Sequence, residues 1–136
     1  MLKAKQLDCL ACLRPLPAEV IAQLFARQLA SGLWEGDDGT ARGRLVATTR
    51  ALADCTDSRI DSAHPVYGAQ VQKAIHAVCV LARGSEGGPG MPDEADVSLA
   101  MVTAVRVAGD ERLRAAAMST LQKSGLSRRR KRYELS

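Results

Sequence analysis

A chain of 136 residues is long enough to bury one hydrophobic core, and 46% of its residues are hydrophobic. With one Phe, one Trp and two Tyr, that core is built from Leu, Val, Ile and Ala, a composition that favours close-packed helices and disfavours a sheet. The net charge of +4 sits at the C-terminus: residues 127–136 hold five basic side chains against Glu134 alone, leaving 14 basic and 14 acidic side chains before them.

The elements follow in chain order. Residues 3–14 place Leu7, Leu10 and Leu13 on adjacent turns of a short helix, which Pro15 and Pro17 interrupt. The apolar stretch there is too short for a signal peptide. No run reaches the roughly 18 apolar residues of a membrane span. Pro17 opens the first main helix, expected to reach Ser31 with Val20, Ile21, Leu24, Phe25 and Gln28 on its buried face and Gly32 as its stop. Glu35-Gly36-Asp37-Asp38-Gly39 reads as an exposed acidic turn.

A second helix is expected over 41–54, capped by Thr40 or Asp38, with Leu45, Val46, Thr49, Leu52 and Ala53 inward. After a polar connector at 57–62, His64-Pro65 opens a third helix with Pro at a first helical position. Its stripe is Tyr67, Val71, Ala74, Ile75, Val78, Cys79 and Ala82. Residues 84–92 hold four Gly and two Pro, a loop within one domain. Asp93 caps a fourth helix reaching Ala108, with Val97, Met101, Ala104, Val105 and Ala108 inward. Gly109-Asp110 breaks and recaps the chain for a fifth helix over 111–124, which buries Leu113, Ala117 and Leu121 before Gly125 stops it. The expected fold is all-α: a small bundle of about five amphipathic helices forming one domain over 1–126, then a basic tail over 127–136.

Few residues carry chemistry. Cys9-Leu10-Ala11-Cys12 has the spacing of a zinc half-site, but no second CxxC or HxxxH supplies the other two ligands. His64, His76, Cys55 and Cys79 are the remaining soft ligands, and Cys9 and Cys12 also fit an amphipathic segment as small apolar residues. No metal or other cofactor is assigned. A chain of this size folds without disulfides, and with no export signal the four thiols are expected reduced in a cytoplasm. Asp54, Asp57 and Asp61 lie near His64 in sequence, yet no Ser occupies a nucleophile elbow and no GxxxxGK[ST] or GxGxxG occurs. The chain is expected to be noncatalytic.

Two features suit binding. Arg128, Arg129, Arg130, Lys131 and Arg132 form a run able to meet phosphate backbones or an acidic partner, or simply to be solvated; Tyr133 beside it is one aromatic, too little for a stacking platform. Trp34 is either a buried anchor against the second helix or, with Leu33, a partner-binding anchor.

Residues 23–80 carry a further pattern: Gln28-Leu29-Ala30-Ser31-Gly32-Leu33-Trp34, then Leu45-Val46-Ala47-Thr48-Thr49-Arg50-Ala51-Leu52, then Gln72-Lys73-Ala74-Ile75. This resembles the helical C-terminal region of proteins that join a vault/inter-α-trypsin-inhibitor domain to a von Willebrand A domain. The usual Asp-Gly-Ser-Trp is Ser31-Gly32-Leu33-Trp34 here, and the DxSxS metal site of an A domain is missing. The resemblance implies a noncatalytic helical interaction or scaffolding module, one piece of a larger bacterial assembly. The alternative expectation is a nucleic-acid-associated accessory protein that uses the tail for nonspecific phosphate contacts.

Overall fold

The computed structural model describes residues 16–84 and 89–122, and these form an all-α bundle. Five helices occur among them: α1 (Ala18–Ala26), α2 (Ala41–Asp57), α3 (Gly68–Gly84), α4 (Glu94–Val107) and α5 (111–122). The expected short helix at 3–14, the centre of the Gly/Pro-rich loop and the basic tail lie outside the described residues.

Each helix boundary has a local cause. Thr40 caps α2 by accepting the Gly43 N–H at 3.0 Å, and its own hydroxyl donates to the Asp38 carboxylate at 2.7 Å. Both candidate capping residues therefore act, in relay. α4 opens on a reciprocal box: the Asp93 carboxylate accepts the Asp96 N–H, and the Asp96 carboxylate accepts the Asp93 N–H. The His64 carbonyl accepts the Gly68 N–H at 2.9 Å and closes a turn, so α3 starts at Gly68 and Pro65, expected at a first helical position, lies in the turn before it.

Two further boundaries differ from the sequence reading. α1 ends at Ala26, five residues before Ser31, because the Arg27 N–H is shared between the Gln23 and Leu24 carbonyls and the chain then turns off the axis. α2 runs on through Asp57 and closes with the Ile60 N–H on the Cys55 carbonyl and the Arg59 N–H on the Thr56 carbonyl. That double closure needs a left-handed residue, and Arg59 supplies it at φ 60°, where Gly is the usual choice.

The core is one continuous cluster. α2 and α4 share the most extensive helix–helix contact, with Leu45, Leu52, Val97, Met101 and Ala104 between them, while Val71, Ile75 and Val78 bring α3 onto the same cluster. Val20 and Ala53, expected inward, are exposed; Thr48, Ala51 and Cys55 take the interior of α2 instead. Buried threonines are tolerated because each hydroxyl bonds its own helix: Thr48 to the Arg44 carbonyl at 2.7 Å, Thr49 to that of Leu45 at 2.8 Å. α5 joins through Leu113 and Ala117, and Arg83 of α3 donates to the Thr120 hydroxyl at 3.2 Å. Ser62 locks two connections together, donating its N–H to the Val107 carbonyl and accepting the Gly109 N–H on its hydroxyl.

Candidate functional site: the cleft beside Trp34

The early end of α1 releases residues 28–40 as a loop that must find partners for its backbone groups. Side chains provide several. The Gln28 amide donates to the Gly32 carbonyl and the Gln70 carbonyl, both at 2.9 Å. The Gln70 amide answers by donating to the Gln28 amide oxygen at 3.1 Å and to the Phe25 carbonyl at 3.3 Å. Gly32, at φ 98°, packs against the Lys73 carbonyl, where a Cβ would lie 2.6 Å from the oxygen. Only Gly fits there.

Trp34 ends this clasp inside the protein. It is 5% exposed, its backbone N–H donates to the Thr48 hydroxyl at 2.8 Å, and its indole N–H donates to the Leu24 carbonyl at 2.8 Å. Its ring meets Phe25 edge-on at 5.9 Å, and Phe25 in turn stacks on Tyr67 at 4.4 Å. Trp34 thus serves as an anchor within this chain. Leu33 is half-buried against the core, its carbonyl accepting the Leu29 N–H. These contacts join the loop to α3 and α2: Gln28 to Gln70, Gly32 to Lys73, Trp34 to Thr48.

The stitching leaves a cleft of about 710 Å³ between the C-terminal end of α1, the 34–38 loop and the outer side of α2. Leu24, Trp34, Val46, Ala47 and Ala51 give it apolar lining, and Arg27, Arg42, Arg50, Asp37, Asp38 and Asp54 give it charges of both signs. Some are committed. Arg42 pairs with Asp96 at 2.8 Å, tying α2 to α4. The Asp38 carboxyl is held below its ordinary range by the Thr40 N–H and hydroxyl. Asp54 shifts the other way, pushed up by partial burial and then by the neighbouring Asp57. Arg27 and Arg50 have no ion-pair partner among the described residues. The cleft was not legible in the sequence, because its walls exist only once the 28–38 loop folds back across α2.

The remaining candidates are dispersed. Cys55 and Cys79 are free, buried thiols; burial pushes Cys55 up to about 12 and raises Cys79, against the opposing Thr120 bond and Arg83 charge. His76 is exposed on α3. The Asp61 carboxylate accepts the Ala63 N–H at 2.9 Å and lies against Gly109. Among the described residues, no three His, Cys, Asp or Glu side chains are placed to hold a metal ion, and no helix is long and apolar enough to cross a membrane. Cys9, Cys12 and Arg128–Arg132 lie outside the described residues. Compared with protein-family models, curated proteins and solved structures, the chain matches none.

Proposed function

We propose that this chain is a noncatalytic helical interaction or scaffolding module that holds a segment of another protein in the cleft between α1 and α2. The cleft itself carries this reading. Its apolar floor suits the side chains of a docked peptide or helix, and Arg27 and Arg50, without an ion-pair partner among the described residues, suit with Asp37 and Asp54 a segment bearing both charges. The family resemblance over residues 23–80 supports the same role, as one part of a larger assembly. Free, buried Cys55 and Cys79 fit work in a reducing cytoplasm.

The test fills the cleft at a partly buried position beside the core. Ala47→Arg, at a partly exposed position on the cleft floor, is compared with the parent chain in affinity purification from the native host, with circular dichroism confirming an unchanged fold. A protein partner retained by the parent and lost by Ala47→Arg supports the proposal. Identical partners on both sink it.

A second reading rests on the concentration of charge in residues 127–136, which gives the chain a nonspecific grip on nucleic-acid phosphates. Deleting those residues then abolishes salt-sensitive retention on nucleic acid. Unchanged retention ends that reading.

A further inference from the structure

The cleft side of α2 is a charged stripe with a two-fold match to itself. Gly43, Ala47, Arg50 and Asp54 line the cleft at intervals of four, three and four residues, which sets them on one face of the helix. The 34–38 loop covers the first of them, since Gly36 packs so close that a Cβ on it would lie 2.6 Å from the Gly43 carbonyl. The open length of the face therefore runs from Ala47 to the end of α2 at Asp57, and its midpoint falls at the level of residue 52.

Arg50 stands two residues before that midpoint and Asp54 two residues after it. Neither is in an ion pair among the described residues. Helix order contributes to this: an acid one turn before a base pairs well within a helix, and here the base comes first. The negative end is crowded instead. Asp54 and Asp57 share a turn, and partial burial, then the charge of Asp57, pushes the Asp54 carboxyl up. A cation arriving from outside would relieve that crowding.

We propose that two copies of this chain close on each other through this face, α2 antiparallel to α2 about a two-fold axis, so that each masks the other's cleft until a partner displaces it. The cleft suits a segment bearing both charges, and α2 is itself such a segment. In the antiparallel arrangement Arg50 of each copy lies level with Asp54 of the other. One patch thereby supplies two reciprocal ion pairs, as an isologous interface requires. The partly exposed Ala47 and the exposed Ala53 keep bulky side chains out of the way and let the two helices approach.

The masking rests on the cleft reading above, but the pairing is tested without any partner. Sedimentation equilibrium of the full chain at low salt, from micromolar to millimolar concentration, is expected to show monomers in equilibrium with dimers. A monomer throughout overturns the proposal. Arg50→Asp alone and Asp54→Arg alone each turn both ion pairs into repulsions, and each should raise the dimer dissociation constant roughly tenfold or more. Mixed in equal amounts, the same two variants regain both attractions and should form a heterodimer at least as tight as the parent dimer. A dimer indifferent to either substitution, or no recovery on mixing, overturns the antiparallel pairing. Circular dichroism checks the fold of each variant; should a reversal unfold the chain, Arg50→Gln removes the same pairs without a new charge and still weakens the dimer. A monomeric chain that loses its partner with Ala47→Arg leaves the cleft reading standing and overturns the masking alone.

Discussion

Two regions of this bundle are held by different physics. Residues 16–40 contain one helix of nine residues and are otherwise loop, secured by a few polar atoms of Gln28, Gln70, Trp34 and Thr48. Residues 94–122 are almost all helix, secured by Val97, Met101, Val107, Leu113 and Ala117 in the core. A nine-residue helix is too short to persist in water alone. The first region is therefore sensitive to single hydrogen bonds, whereas the second responds to lost volume.

The largest expected effect lies in the second region. Met101→Ala empties a fully buried site between α4 and α2 and should cost about 2–5 kcal/mol of global stability, measured by denaturant unfolding. Trp34→Phe keeps most of the ring but removes the donor to the Leu24 carbonyl, for about 1–3 kcal/mol. Its diagnostic is local: amide exchange at 28–34 should quicken more than at 97–104. Uniform acceleration would break the comparison, since the loop would then unfold only with the whole molecule. At the joint between the regions, Arg59→Gly relieves the left-handed residue that closes α2 and should gain about 0.5–1 kcal/mol.

The smallest expected response is chemical. At neutral pH the thiols of Cys55 and Cys79 stay protonated and buried, so alkylation of the folded chain followed by mass spectrometry should leave both unmodified. Because Cys55 is raised when folded, its contribution is fully present below its ordinary value of 9.0 and is lost as pH rises toward about 12. Stability flat across pH 9–12 would show that Cys55 is not buried as described.

Apolar periodicity located α3, α4 and α5 well. In α3 Val71, Ala74, Ile75, Val78, Cys79 and Ala82 are all buried, and Asp93 does cap α4. The same rhythm misled at α1, where Gln28 stood in register with Leu24 and Phe25. Its amide is engaged by Gln70, a residue forty-two positions away that no local pattern connects to it. Ala53 was expected inside for a similar reason: small apolar residues fit either face of a helix, and the choice between Ala51 and Ala53 belongs to the neighbours. The sequence leaves Trp34 open between core anchor and partner anchor; folding buries its ring and directs its two nitrogens to the Thr48 hydroxyl and the Leu24 carbonyl.

By itself, then, the sequence determined the helical class, most helix starts and the charge-neutral body with its basic end, because composition, caps and periodicity act over a few residues. The tertiary structure alone decided where α1 stops, which side chains stitch the 28–38 loop, and that a cleft of about 710 Å³ opens beside Trp34. It also decided that His64 turns its ring onto the amides of Val66 and Tyr67, in the turn before α3. Each of these depends on atoms brought together by folding, and such contacts leave no period in the chain.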